Sequence, residues 1–169
     1  MGNSKIAALL AAAAATALML SGCSVIEQVL GGDNAVRDED SSEITEGGDL
    51  DVFTLAVGDC FDDDSAAGTE ISEIPVVPCS EPHDNEVYHE FTLDEGEYPG
   101  GDVIETAADE GCFAEFESFV GIDYESSVYG YSWLTPTESG WNELDDRLVQ
   151  CVVYEYGEKL TGSVAGIAR

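Results

Sequence analysis

The chain has 169 residues, with 36 Asp and Glu against five Lys and Arg and a formal charge of −31. That balance excludes recognition of nucleic acid, or of anionic lipid headgroups, through a basic surface. No internal repeat is evident, and a chain of this length builds one hydrophobic core rather than several.

Lys5 leads into fifteen uncharged, mostly apolar residues, Ile6 to Leu20. A membrane span needs roughly 20, so residues 1–22 read as a cleaved signal peptide. Leu20-Ser21-Gly22-Cys23 follows and resembles the lipobox of bacterial lipoproteins. The resemblance implies a diacylglycerol on Cys23 and a mature chain held to the outer face of the cytoplasmic membrane. Two acyl chains anchor stably where one does not. Removing residues 1–22 takes away Lys5 and no acid, leaving four basic residues against 36 acidic ones.

Residues 23–51 are Gly, Ser, Asp and Glu with little apolar periodicity, a composition that buries too little surface to offset ordering. They are expected to form an acidic tether with a reach on the order of 30 Å, ahead of a domain at 52–169.

The domain is expected to open with a strand at 52–57, stopped by Gly58-Asp59-Cys60-Phe61 and the acidic loop Asp62-Asp63-Asp64. That loop reads as a solvated turn, its order not matching a calcium loop. A second strand is expected at 71–77 and a third at 86–93, with Val87, His89, Phe91 and Leu93 on one face. Pro99-Gly100-Gly101 then breaks the chain. Asp102 with Glu105 fits a capping box, and Ile104, Ala108, Cys112, Phe116 and Val120 recur every fourth residue as the buried stripe of a helix ending at Gly121. Later strands are expected at 128–134, 147–156 and 159–164. In the second of these Val149, Cys151 and Val153 share one face, and Leu148, Gln150, Val152 and Tyr154 the other. Tyr129, Tyr131, Trp133 and Trp141 read as core or as an aromatic binding face.

With Cys23 assigned to lipid, four cysteines remain, an even number in an exported domain. Three pairings are possible. Local structure favours Cys60 with Cys79, at the ends of a hairpin, and Cys112 with Cys151, joining helix to sheet. Each would stabilise by roughly 3 kcal/mol. The expected fold is α+β: an antiparallel sheet of five or six strands, one main helix on a face, and two disulfides.

Val57-Gly58-Asp59-Cys60-Phe61, Val77-Pro78-Cys79-Ser80-Glu81-Pro82-His83-Asp84-Asn85-Glu86-Val87, Tyr98-Pro99-Gly100, Cys112, Trp141 and Asp146-Arg147-Leu148-Val149-Gln150-Cys151 resemble the septum-formation domain family of actinobacterial exported proteins. The resemblance spans roughly residues 52–169. It implies a place in the envelope and a part in cell division, but no reaction. Where such sequences commonly have a Gly before the Asp-Arg pair, this chain has Leu144-Asp145.

Glu81, Pro82, His83, Asp84 and Glu86 form the candidate functional loop. His83, Glu86 and His89 invite a metal-dependent hydrolase as the alternative. Six residues of strand between the two histidines span about 20 Å, however, so no metal ligand set is assigned. The sequence also has no Gly-x-Ser-x-Gly elbow, phosphate loop or dinucleotide fingerprint. No catalytic residue and no cofactor are expected; the acidic surface leaves cation binding as a further alternative. The expected function is a noncatalytic, lipid-anchored interaction domain that meets an envelope protein or a wall component.

Overall fold

The computed structural model describes residues 34–63 and 71–169. The signal segment, Cys23, the first part of the expected tether and Asp64 lie outside the described residues. Among the described residues no helix is long and apolar enough to cross a membrane.

The fold is α+β, a six-stranded antiparallel sheet beside a smaller two-stranded one. The small sheet pairs β1 (Val36–Arg37) with β2 (Ile44–Glu46). The large sheet is built from β3 (Gly48–Asp51), β4 (Cys60–Phe61), β5 (Glu73–Val77), β6 (Asn85–Thr92), β7 (Tyr129–Leu134) and β8 (Leu148–Glu155), in the order β3-β5-β4-β6-β8-β7. Both disulfides are those favoured from local structure, with Cα–Cα separations of 5.2 Å for Cys60–Cys79 and 5.3 Å for Cys112–Cys151, inside the range a bridge spans without backbone movement.

The long helix α1 (Gly101–Val120) buries Ile104, Ala108, Cys112, Phe116 and Val120, the predicted stripe. Ala108, Cys112, Phe116 and Val120 meet Tyr88, Val149, Cys151 and Val153 on one face of the sheet, where full burial of a side chain such as Phe116 stabilises by about 2–3 kcal/mol. Gly121, in a left-handed conformation with φ 89°, ends the helix and donates its N–H to the Glu117 carbonyl. The expected capping box is not formed: Gly100 occupies the N-cap and Asp102 lies inside the first turn, where an acid still suits the helix dipole. Gly111 sits mid-helix because the Phe91 ring lies 2.5 Å from where a Cβ would be.

The alternation expected along β6 is broken by a bulge. Val87 pairs with Val152 and His89 with Cys151, so Tyr88 is the extra residue. Val87 therefore joins the second face of the sheet, while Tyr88 turns to the helix face and donates its hydroxyl to the Cys112 carbonyl. Burial pushes the Tyr88 hydroxyl pKa above its ordinary value, with Tyr131 and Glu115 adding to it.

The second face corrects the expected boundary at residue 52. The described residues from Asn34 onward belong to one compact unit with the rest of the domain. Ile44 and Leu55, with Ala35 and Leu50 beside them, pack on Phe61, Ile74, Val76, Val87 and Val152, and Gly48–Asp51 pairs along Glu73–Val76 as the edge strand. Few apolar residues suffice here because the sheet supplies the rest of the contact. The expected strand at 52–57 is instead a single 3-10 turn, Val52–Thr54, capped by Asp51, whose carboxylate accepts the Phe53 N–H.

Two further differences lie near the C-terminus. A short helix α2 (Glu138–Glu143), capped by Thr137, was not anticipated. The expected strand at 159–164 is a segment with one bridge, His83 to Leu160. Asp145, which precedes the Asp-Arg pair, has φ 58°, so the place where a Gly is common requires the conformation glycine adopts most easily, and Asp is among the residues that tolerate it.

Candidate functional site

The motif from Cys79 to Glu86 leaves the end of β5 and enters β6. Pro78 begins a turn in which its carbonyl accepts the Glu81 N–H at 2.8 Å. Glu81 and Pro82 remain exposed, whereas His83 and Glu86 are 0% and 1% exposed. The loop expected to present function thus turns His83 and Glu86 inward.

Both residues hold the C-terminal segment, His83 through its backbone and Glu86 through its carboxylate. His83 donates its N–H to the Leu160 carbonyl at 3.0 Å, Leu160 returns its N–H to the His83 carbonyl at 2.8 Å, and Gly162 N–H reaches the Cys79 carbonyl at 2.6 Å. Glu86 Oε2 accepts the Val164 N–H at 2.8 Å. Leu160 and Val164 are thereby set into the cluster beneath α1. His83 Nδ1 lies 2.8 Å from the Glu81 carbonyl, which accepts from it. The other ring nitrogen, Nε2, is buried with no hydrogen-bond partner.

Asp84 and the acidic loop form a second fastening. Asp84 Oδ2 accepts the Asp63 N–H at 3.0 Å and meets Lys159 Nζ at 2.9 Å, while Asp62 Oδ1 takes the same ammonium at 2.7 Å. Burial opposes ionisation of Asp84, but the Asp63 N–H and the Lys159 charge outweigh it, so the carboxyl titrates below the ordinary aspartate range. Asp63 accepts from the Asn85 side chain at 2.8 Å. The third fastening is Asp59, 2% exposed, whose two oxygens take Arg37 Nη1 and Nη2 at 2.7 Å each and the Ala56 N–H at 2.8 Å.

The alternative metal trio does not converge in this arrangement. His83 Nδ1 and Glu86 are committed as described, and His89 lies further along β6, its ring 6.1 Å from that of Phe91 and stacked on it. Among the described residues no group of three or more His, Cys, Asp or Glu is placed to hold a metal ion.

A fastening role makes a testable distinction within the motif. Glu86→Ala leaves the Val164 N–H buried without its acceptor and is expected to cost about 2–3 kcal/mol, whereas exposed Glu81→Ala is expected to stay within about 0.5 kcal/mol. Urea unfolding measures both, and hydrogen exchange should show residues 160–168 opening first in the Glu86 variant. Equal midpoints for the two would contradict the assignment.

The aromatic residues divide. Tyr129 and Trp141 are buried, and Tyr131 and Trp133 pack partly buried against the helix cluster. Trp141 donates its Nε1–H to the Gly96 carbonyl at 2.9 Å and lies under the Arg147 guanidinium, 3.7 Å from its ring centre. Arg147 in turn donates to the Trp141 and Asp146 carbonyls, which ties α2 to the start of β8.

What the sequence did not single out is a cleft on the second face of the sheet. It consists of two hollows of about 620 Å³ and 230 Å³ that share Ile71 and Leu134. Phe53 and Leu144, 55% and 64% exposed, line the larger one, from the 3-10 turn and from just after α2. The available signal was Leu144, a large apolar residue among Asn142, Glu143, Asp145 and Asp146.

The family model described as septum formation matches residues 56–167. No curated protein and no solved structure matches the chain. The match covers β4 through the C-terminal segment, and so the fastenings around His83 and Asp84 and, of the third, Asp59 but not Arg37. The chain therefore belongs to the septum-formation family.

Proposed function

We propose that this septum-formation domain acts as a noncatalytic interaction module, held by a lipid on Cys23 at the outer face of the cytoplasmic membrane, where it meets an envelope protein or wall component during division. Membership of the family supports the process. The observation that carries the noncatalytic reading is the inward commitment of the motif: the Glu86, Asp59 and Asp84 side chains each hold another part of the chain, and the His83 backbone pairs with Leu160. Side chains so engaged shape a surface rather than turn over a substrate. The lipobox-like Leu20-Ser21-Gly22-Cys23 supports the anchor.

Two measurements in dividing cells test the reading. Metabolic fatty-acid labelling is expected to mark the protein and to be lost in Cys23→Ala, and a fluorescent fusion is expected to concentrate at septa. An even distribution around the cell, with septa unchanged after deletion, would overturn the division role; an unlabelled protein would overturn the anchor.

A further inference from the structure

We infer that the cleft on the second face of the sheet is a docking site for an extended segment of a partner protein in which Lys or Arg alternates with apolar side chains. This rests on the reading of the domain as an interaction module and names the chemistry of what it binds.

Three observations argue for that occupant. The first is shape. The two hollows adjoin at Ile71 and Leu134 and are lined by residues from β5 to β7, an open trough suited to an extended chain rather than a deep enclosed site. The second is the apolar content. Phe53, Ile71 and Leu144 line the trough and remain exposed at 55%, 38% and 64%, although packing elsewhere on the same face buries Ile44 and Leu55 to 7% or less. Exposed apolar groups gathered in one concavity are what a partner covers.

The third is charge. The lining holds carboxylates, among them exposed Glu73 and Glu143, and no Lys, Arg or His. Each basic side chain among the described residues already has an acidic partner: Arg37 with Asp59, Arg147 with Asp145, Lys159 with Asp62 and Asp84, and Arg169 with Glu155. The trough therefore carries exposed apolar groups beside a negative rim, on which Lys159 neutralises Asp62 while Glu73 and Glu143 have no basic partner among the described residues. Positive side chains that alternate with apolar ones satisfy both features at once, because alternate residues of an extended chain point to opposite sides. A second copy of this chain does not, since it brings the same negative charge.

The test uses the full-length chain in detergent and three fluorescent octapeptides of alternating Lys-Val, Ser-Val and Glu-Val. The Lys-Val peptide is expected to bind at least tenfold more tightly than either of the others. Phe53→Ser with Leu144→Ser should weaken it about tenfold, and Glu73→Gln with Glu143→Gln by a similar factor. Glu105→Gln with Glu110→Gln, which removes as much charge from the exposed side of α1, should change it less than twofold.

Equal losses from the trough and helix variants would show attraction to the overall charge and overturn the site. Ser-Val binding as tight as Lys-Val would overturn the basic partner, and self-association lost in the Phe53/Leu144 variant would assign the trough to a second copy. Amide shift mapping with the unmodified chain needs no variant: perturbations confined to α1 would also overturn the inference. Because these are binding measurements in solution, their failure is distinct from a failure of the fusion to reach the septum.

Discussion

Loss of the Cys112–Cys151 bridge, in Cys112→Ala with Cys151→Ala, is expected to lower stability by about 4 kcal/mol. The residues lie 39 apart in sequence, and closing a loop of that length restricts the unfolded chain by this order. Both are 0% exposed, so the lost sulfurs also leave unfilled space between α1 and β8. The Cys60–Cys79 bridge closes 19 residues and is expected to contribute about 3 kcal/mol. Together these approach the whole stability of a domain of this size, which is typically 5–15 kcal/mol. Removal of both is expected to leave the chain largely unfolded at 37 °C.

Urea unfolding with and without reductant measures the effect. Access predicts the order of reduction, since an attacking thiolate must reach sulfur: Cys79 is partly exposed, whereas Cys112 and Cys151 are enclosed. Mass spectrometry after brief alkylation should find Cys60 and Cys79 modified first. A midpoint unmoved by complete reduction would mean that packing alone holds the domain.

The second large effect concerns residues 34–51. Arg37→Ala is expected to cost about 3 kcal/mol, because it strands the Asp59 carboxylate at 2% exposure with only the Ala56 N–H for company, and a buried charge without its partner is costly. A chain shortened to begin at Val52 should lose more, since β3 and Ile44 also leave and uncover Ile74 and Val76. Lys159→Ala is the control. It breaks two ion pairs, but the lysine is 45% exposed, and such surface pairs contribute about 1 kcal/mol or less. Equal losses for Arg37→Ala and Lys159→Ala would show that residues 34–51 do not brace the domain.

That stretch shows why composition misled the boundary. An acidic segment with few apolar residues lacks the means to fold alone, and the inference from its own sequence is sound. What it lacks is supplied by β5 and by the second sheet face, which offer a strand edge and an apolar floor. The His83 loop misled in the other direction. Two histidines and several acids beside a proline have the composition of a reactive site, yet the buried ones hold residues 160–164, a contact between positions nearly eighty apart in sequence. Likewise the bulge at Tyr88 shifts the side-chain alternation of β6 by one residue, and nothing in a local pattern distinguishes a strand with an extra residue from one without.

Periodicity and cysteine count alone determined the α+β class, the buried stripe of α1, the two faces of β8 and the favoured pairing of four cysteines, because each is a local regularity that burial or oxidation enforces. Tertiary structure decided the rest: where the domain begins, which polar residues turn inward, and where a trough stays open. Those outcomes depend on which distant segments meet on the two faces of the sheet, and a side chain whose hydrogen-bond partner lies far along the chain has no local signature.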